Sequence, residues 1–329
     1  MSRFKVHVHH FADNDDGEQR SFFIQKHFAG FNIENAYALG FNDEERNDTI
    51  FQNNKQQSVY THNIKYKEAS YAWLMTNTEK KVLRYRAGVT ENKHLFSTLS
   101  LKNKSELENQ ATSLNIPQDR QFMYPWFSVE YIEKDFKKHT NIHSISQVED
   151  FNHGWQINSR LGIGNGNNKN AAWALWQMNI KKGYNLHNNA LLLFDIALLS
   201  DIYKNGNNRF LARVNAEYFY QLNQTWGLYL NNVNFISNNQ YVDRPVTIGG
   251  NTGLRGFPLQ YQHGDNSVKL TSEIRFYPDI NLFKLFDIAG VAFFDTGKAF
   301  GHSLVNNTET GWLQSVGLGI RVFSPHSGG

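Results

Sequence analysis

The chain contains no cysteine among its 329 residues. Disulfide bonds, thiol catalysis and cysteine-ligated zinc are therefore excluded. The absence does not fix the compartment, but it is compatible with passage through an oxidising periplasm, where free thiols would mispair. Proline is also rare, with six residues, and no proline-rich linker divides the chain. We therefore expect a single domain over residues 1–329.

Long apolar runs are absent too. No segment approaches the roughly 20 consecutive apolar residues of a membrane-spanning helix. The first residues, MSRFKVHVHHF, lack the apolar centre of a signal peptide and have the pattern of a strand. The net charge is a modest +3, and no basic block is dense enough to indicate nucleic-acid binding. GxSxG and HExxH motifs are missing, so we expect no catalytic residue, no bound metal and no cofactor.

Two composition figures point in opposite directions. Aromatic residues make up 14% of the chain, which is high, whereas the mean hydropathy of −0.55 is polar. A soluble domain rich in Phe and Tyr would normally be less polar. A transmembrane β-barrel reconciles the two figures, because each strand sends alternate residues to lipid and to a wet interior, with aromatic girdles at both interfaces.

Alternation with a period of two recurs along the chain, and long helical patterns are absent. In the clearest segment, residues 267–278, the two rows are Val268, Leu270, Ile274 and Phe276 against Lys269, Thr271, Glu273 and Arg275. Residues 312–323 and 209–220 alternate in the same way. In a soluble sandwich the charged row would face water, so alternation alone does not choose between a sandwich and a barrel.

The breaks between these segments help to choose. We predict fourteen strands, near residues 3–11, 19–28, 31–42, 57–75, 80–92, 123–135, 151–163, 170–184, 189–200, 209–221, 226–237, 266–278, 287–296 and 312–323. The breaks alternate between short ones (29–30, 77–79, 185–188, 222–225) and long ones (43–56, 93–122, 238–265). Short turns at one end and long loops at the other are typical of outer-membrane barrels. The break at 136–150 is longer than its end of the sheet predicts.

The last long break contains the stretch GGNTGLRGF, residues 249–257. Glycine adopts backbone angles that other residues resist, so four glycines in nine residues predict a loop folded into a confined space. Arg255 is a charge in this loop that needs a partner. In 291-VAFFDTGKAF-300, Phe293, Asp295 and Gly297 share one strand face. If Glu273 and Arg275 face a lumen, Asp295 on the neighbouring strand faces it as well, and guanidinium and carboxylate match as a bidentate fork.

These residues carry a resemblance. GG-x3-LRGF, then LTSEIRFYP (residues 270–278), then FxDxG (residues 293–297) resemble the BamA and two-partner-secretion (TpsB) transporter superfamily, which includes the bacterial surface antigen proteins. The resemblance covers residues 248–323 by motif, and it is topological before about residue 225. It implies an all-β, antiparallel transmembrane barrel, 16-stranded when complete, whose sixth outer loop folds into the lumen. The count of predicted strands agrees, since the loop follows the eleventh strand and Asp295 lies on the thirteenth.

The resemblance also implies roles. Arg255 and Asp295 would lock the loop, and Gly256 and Phe257 would shape its tip. The lumenal network around them would be Glu273, Arg275, Phe293 and Gly297. The function implied is non-enzymatic help with inserting or translocating polypeptides at the outer membrane of a Gram-negative-type bacterium. Its partners would be outer-membrane lipids, an unfolded or secreted polypeptide, and periplasmic or outer-membrane accessory proteins. The simpler alternative for Arg255 and Asp295 is a surface ion pair.

Two departures from the family matter. Family members usually carry periplasmic POTRA domains ahead of the barrel, and none is visible within these residues; the sequence also stops at SPHSGG, a turn after the fourteenth predicted strand. We therefore expect a barrel domain truncated at both ends, with two further strands after Gly329. Two other function classes stay open. One is a membrane anchor or passive pore for an upstream patatin-like lipase, and the other is a soluble β-sandwich binding protein.

Three further stretches suggest sites but have simpler interpretations. His7, His9 and His10 lack additional ligands at zinc-like spacing, so we interpret them as lumen-lining or interfacial polar residues. Residues 13–17, DNDDG, resemble part of a calcium loop but lack its distal Glu, which favours a hairpin turn. Residues 162–166, GIGNG, lack the strand-to-helix context of a dinucleotide site and are predicted to form an outer loop.

Overall fold

The computed structural model describes residues 4–14, 17–98, 116–165, 172–187, 189–204, 206, 208–250, 253–283, 285–303 and 307–324. Apart from the 3-10 conformation at Gly250, the regular elements in this part of the chain are β-strands. In chain order the strands are β1 (Phe4–Ala12), β2 (Glu18–Lys26), β3 (Asn35–Gln52), β4 (Lys55–Asn77), β5 (Lys81–Thr98), β6 (Arg120–Glu133), β7 (Phe136–Thr140), β8 (Val148–Asn152), β9 (Gln156–Asn165), β10 (Ala172–His187), β11 (Ala190–Tyr203), β12 (Arg209–Gln221), β13 (Trp226–Asn238), β14 (Val246–Ile248), β15 (Gln262–Gly264), β16 (Asn266–Leu282), β17 (Phe286–Phe300) and β18 (Leu313–Phe323). Among the residues described, no helix is long and apolar enough to cross a membrane.

Fourteen of the strands form one antiparallel sheet, in the order β1-β2-β3-β4-β5-β6-β9-β10-β11-β12-β13-β16-β17-β18. Each strand pairs with its neighbour along the chain, as a meander does. The predicted all-β class, the number of strands in the sheet and their order are confirmed. The other four strands form two small hairpins, β7–β8 and β14–β15, which the alternation did not predict. A two-sheet sandwich, one of the open alternatives, differs from this single large sheet.

The two faces of the sheet differ in polarity. On β18 the side chains of Val316, Leu318, Ile320 and Val322 are 60–87% exposed, and they lie on one face. On β16 the row containing Thr271, Glu273 and Arg275 is buried on the other face, while Leu270 and Ile274 are exposed. The predicted division of residues 267–278 into an apolar and a charged row is therefore confirmed.

Contacts of one loop show that the sheet curls. The long loop, residues 239–265 between β13 and β16, contacts β6 through Asp243, β3 through Gln260 and β17 through Arg255. These strands are sixth, third and thirteenth in the sheet order. One loop can contact all three only if the sheet wraps around it with its polar face inward. We call the enclosed space the lumen.

The predicted long break at 43–56 is wrong. β3 and β4 continue through it and meet at Asn53 and Asn54, whose positive φ values of 50° and 59° suit a tight two-residue turn. The segment DEERNDTIFQ is too polar to look like a strand by itself. Cross-strand pairs such as Lys65 with Asp43 and Asn63 with Glu45 give its charges partners and keep it in the sheet.

The predicted outer loop at 162–166 is also wrong in its described part, because residues 162–165 belong to β9 and residue 166 lies outside the described residues. The reason is close packing. A Cβ on Gly162 would come within 2.6 Å of the Tyr124 ring, and one on Gly164 within 2.4 Å of the Met123 carbonyl oxygen. These glycines admit neighbouring groups within the sheet rather than shape a turn. The described residues of the predicted turn at 13–17 lie between the paired strands β1 and β2, and Asp13 N–H donates to the Gly17 carbonyl at 3.0 Å; residues 15 and 16 are outside the described part.

Candidate functional site

The long loop folds back into the lumen with left-handed turns at its glycines. Gly249, Gly250, Gly253 and Gly256 have φ values of 112°, 57°, 92° and 82°. L-residues with a Cβ rarely adopt such angles, so the glycines explain how this chain can reverse direction within a few residues. The two limbs of the loop pair as β14 and β15, with Thr247 opposite His263, and this places Arg255 near the tip.

Arg255 meets the sheet through a fork of hydrogen bonds. Its Nε donates to Asp295 Oδ2 at 2.6 Å, and its Nη2 donates to Asp295 Oδ1 at 2.7 Å. Nη1 donates to Glu273 Oε1 at 3.0 Å. Asp295 is 0% exposed and Glu273 4%, whereas the Arg255 side chain is 37% exposed. The hydrogen bonds to Asp295 raise the pKa of Arg255, and the hydrogen bond to Glu273 raises it further by a smaller amount. The guanidinium therefore stays charged.

Glu273 joins three arginines. Besides Arg255 it accepts from Arg275 Nε at 2.9 Å and from Arg321 Nη2 at 2.6 Å, both through Oε2. Arg321 lies on β18, so this carboxylate connects the loop with the last strand of the sheet. Charge-assisted bonds of this kind are stronger than neutral ones, particularly where water is excluded.

The FxDxG stretch on β17 has a physical explanation at each of its three positions. The ring of Phe293 lies 3.6 Å under the Arg255 guanidinium carbon, in cation–π geometry. Asp295 supplies the fork. A Cβ on Gly297 would come within 2.4 Å of Ile248 Cδ1, so glycine at this position admits the loop against the strand. The three residues share the inward face, as the sequence predicts.

Apolar packing holds the loop next to the ion pairs. Leu254 is fully buried and forms a cluster with Ile248, Ala299 and Leu313. Phe257 packs against this cluster and meets the Tyr261 ring edge-on, with the ring centroids 5.1 Å apart. Gly256 is exposed at the tip. All eight residues of the predicted site thus lie in or beside one cluster at the loop tip.

The long loop has a second attachment to the sheet, which the sequence did not predict. Asp243 accepts a bidentate pair of bonds from Arg120 on β6, at 2.8 and 2.6 Å, and both side chains are buried. Tyr241 lies between two guanidinium groups, 4.1 Å from Arg120 and 4.5 Å from Arg209. Arg120 and Asp243 are 123 positions apart, and none of these residues matches a motif, so no sequence signal identifies them.

An inner hairpin, residues 136–152, enters the lumen from the opposite end. The Ile142 carbonyl at its tip accepts from Arg275 Nη1 at 2.8 Å, and the Asn141 carbonyl accepts from the Tyr277 hydroxyl at 3.1 Å. His143 Nε2 lies 3.0 Å from Glu217 Oε2 on β12, and this hydrogen bond raises the pKa of His143. The unexpected length of the break at 136–150 was the available signal. Arg275 binds both this hairpin and Glu273, so a short chain of contacts joins the hairpin to the loop tip.

The β3–β4 turn contacts the returning limb of the long loop. Asn53 and Asn54 donate backbone N–H groups to the carbonyls of Gln260 and Leu259 at 3.1 and 3.0 Å. His263 Nε2 lies 2.7 Å from the Phe51 carbonyl oxygen. The extended β3–β4 hairpin therefore packs against the long loop at the end of the sheet where that loop begins.

Metal ligands are not gathered anywhere in the described residues, which contain no group of three or more His, Asp or Glu side chains able to hold an ion. His7, His9 and His10 lie on β1, and all three side chains are exposed.

No family model matches the chain, and no curated protein matches it. Two solved structures are similar over 98% of the chain: CdiB from Acinetobacter baumannii, with 13% identity and a TM-score of 0.42, and CdiB from Escherichia coli, with 10% identity and a TM-score of 0.46. The chain spans 54% of the length of the first and 61% of the second.

Proposed function

We propose that the chain forms an outer-membrane β-barrel domain that assists the insertion or translocation of polypeptides without covalent chemistry. The observation that carries this proposal is the glycine-rich loop, folded into the lumen with Arg255 forked onto Asp295. In the superfamily that the motifs resemble, a loop arginine and the FxDxG aspartate have this relation. The contact joins the residues that the two motifs contain, and it supports the resemblance.

The outer face supports a membrane location. Branched apolar side chains project from β18 with 60–87% of their surface exposed. A row of this kind in water would be a severe aggregation hazard, whereas in a bilayer it meets hydrocarbon. The charged rows lie on the lumenal side, where residues such as Glu273 and Arg84 have ion-pair partners. This division suits an outer-membrane barrel whose partners include the surrounding lipids.

The contents of the lumen suggest how transport would work. The long loop enters from one end and the inner hairpin from the other, so a polypeptide could pass only after one of them moves. Binding of the polypeptide, or of an accessory protein, would supply the free energy by favouring the displaced state. In this scheme Arg255 and Asp295 lock the loop, Glu273, Arg275, Phe293 and Gly297 hold it, and Gly256 and Phe257 form the tip that a substrate meets. Because the long loop and the inner hairpin occupy the lumen, they disfavour a passive pore that is always open.

Reconstitution into lipid vesicles tests the proposal. One arm follows an unfolded eight-stranded outer-membrane protein as it folds into the vesicles, read by its heat-modifiable migration on gels. A second arm traps an unfolded water-soluble polypeptide inside the vesicles and follows its digestion by external protease. We expect several-fold acceleration of one of these over empty vesicles, and a loss of the acceleration in Arg255→Ala.

The matched control is Arg20→Ala, which removes an arginine whose side chain is 66% exposed and distant from the loop in sequence. It should behave like the unchanged protein. If the chain integrates into vesicles but both arms equal empty vesicles, the transport function is contradicted. If it does not integrate at all, the membrane location is contradicted as well.

A further inference from the structure

A lumenal cavity of about 600 Å³ lies along strands β4 to β13, apart from the lock residues. Its charged lining consists of four arginines and two glutamates: Arg84, Arg86, Arg160, Arg213, Glu68 and Glu130. Neither the sequence motifs nor the proposed transport function accounts for this excess of guanidinium groups on the wall.

The strand register places four of the lining residues in one row. Arg86 on β5 is directly opposite Ser128 on β6, Ser128 is opposite Arg160 on β9, and Arg160 is opposite Gln177 on β10. Side chains directly opposite in an antiparallel sheet have Cβ atoms about 4.5–5.5 Å apart. We call Arg86, Ser128, Arg160 and Gln177 the donor row, because each of them can donate hydrogen bonds and none is a carboxylate.

The donor row has few partners within the protein. Among the residues that the structure describes, the side chains of Arg86, Ser128 and Gln177 have no hydrogen bond or ion pair, although Ser128 is only 7% exposed. Arg160 donates from Nη2 to Thr90 Oγ1 at 2.8 Å and lies 3.7 Å from Glu68, but its buried Nε has no partner. A buried donor left unpaired is costly, so Arg160 Nε, with unpartnered donors on either side of it in the row, calls for an acceptor.

The neighbouring row of lumenal side chains, which contains Arg84 and Arg213, differs from the donor row. Arg84 is paired with Glu130 at 2.9 Å, and Arg213 is paired with Asp195 at 2.8 Å. These guanidinium groups have carboxylate partners within the barrel, whereas Arg86, one step further along the same face of β5 as Arg84, has none. Arg84 Nε is also buried without a partner, but its guanidinium has a carboxylate beside it, so the unneutralised charge on this face of β5 is that of Arg86. Trp126 packs against the donor row, with the Arg160 guanidinium carbon 3.6 Å from its ring centroid.

We propose that the donor row is a binding site for an oxyanion group, a carboxylate or a phosphate. Two guanidinium groups flank a hydroxyl, and an amide follows the second of them in the row. This arrangement can bind a planar or tetrahedral oxyanion through several charge-assisted bonds. The group can be free in solution or carried by an acidic stretch of polypeptide inside the lumen. This site does not depend on the transport function, and either can fail without the other.

The experiment uses the purified full chain in a neutral, phosphate-free detergent solution at low ionic strength. Isothermal titration calorimetry measures the binding of inorganic phosphate in one arm and of a short polyglutamate peptide in the other, with polyglutamine as the neutral control. The variants are Arg86→Gln and Ser128→Ala, and the matched control is Arg213→Gln, which removes a lumenal arginine that is already ion-paired with Asp195. Heat-modifiable migration on gels verifies that each variant is folded.

We expect saturable binding of at least one oxyanion probe, weakened about tenfold by Arg86→Gln and less by Ser128→Ala, with the Arg213→Gln control within about twofold. Polyglutamate binding without phosphate binding identifies a polypeptide carboxylate as the ligand, whereas phosphate binding that polyglutamate does not displace identifies a free ion. No saturable binding of either probe, equal binding of polyglutamine, or an equal loss in the Arg213 control would overturn the proposal.

Discussion

The long loop is attached to the wall of the lumen in two opposite ways. At its tip, Arg255 from the loop binds Asp295 and Glu273 of the sheet; we call this the tip anchor. Near its start, Asp243 from the loop binds Arg120 of the sheet, which we call the base anchor. In the base anchor both side chains are almost fully buried, 3% exposed for Arg120 and 2% for Asp243, whereas the Arg255 side chain is 37% exposed.

This difference suggests which end of the loop can be released. When Arg255 leaves, water can enter the partly exposed place that it vacates and reach Asp295, and Glu273 keeps Arg275 and Arg321 as partners. When Asp243 leaves, a buried Arg120 loses its bidentate carboxylate. Breaking a buried pair is costly because it strands the other charge. We therefore expect the tip anchor to be the labile one and the base anchor to act as the fixed hinge of the loop.

The largest expected effect is at the base anchor. Asp243→Ala should lower the free energy of unfolding by about 3–5 kcal/mol, because Arg120 stays buried without its partner. The measurement is a urea titration of the chain in detergent micelles. Asp43→Ala, which removes an exposed carboxylate, is the control, and a shift no larger than the control's would contradict the ranking of the two anchors.

The tip anchor should be weaker. Arg255→Ala should lower the free energy of unfolding by about 1–3 kcal/mol, since solvent already screens part of this guanidinium. Arg255→Lys should not restore the loss, because an ammonium group cannot form the bidentate fork. The same urea titration measures both variants. An effect equal to that of Asp243→Ala would remove the distinction between hinge and tip.

A double-mutant cycle sharpens the comparison within the tip anchor. Arg255→Ala and Asp295→Ala together should be no worse than the worse single variant, with a coupling free energy of about 1–3 kcal/mol. The pair Arg255→Ala and Asp243→Ala shares no partner, so its effects should add to within about 0.5 kcal/mol. Full additivity in the first cycle would mean that Arg255 and Asp295 do not interact.

The smallest expected effect is a pH dependence that the inner hairpin should show and the two anchors should not. The hydrogen bond to Glu217 raises the pKa of His143, so this contact contributes fully below the ordinary histidine pKa and is lost as the pH rises through the raised value. Hydrogen exchange in residues 136–152 should therefore increase, beyond the intrinsic rate change, as the pH rises above the ordinary histidine pKa of about 6.5. The two anchors pair arginine with carboxylate, so hydrogen exchange around them should show no such pH-dependent step. His143→Gln should abolish the step in residues 136–152. A step that persists in His143→Gln would assign it to another group.

Much of this architecture could be predicted from local patterns. Alternation gave fourteen strands in the observed order, and glycine content gave a folded-back loop. Predictions failed where tertiary pairing overrode local composition. The charged end of β3 remains a strand because β4 supplies its partners, and the glycines at 162 and 164 lie within a strand because neighbouring groups need the space.

By itself, the sequence determined the strand rhythm, the two-faced rows and the residues of the tip anchor, because a period of two and a short motif are local properties of a chain. Tertiary structure alone decided the base anchor, the inner hairpin and the donor row. Arg120 meets Asp243, and Arg275 meets the Ile142 carbonyl, across separations of 123 and 133 residues. Such contacts exist only once the sheet has curled, since strand register and curvature decide which distant side chains become neighbours.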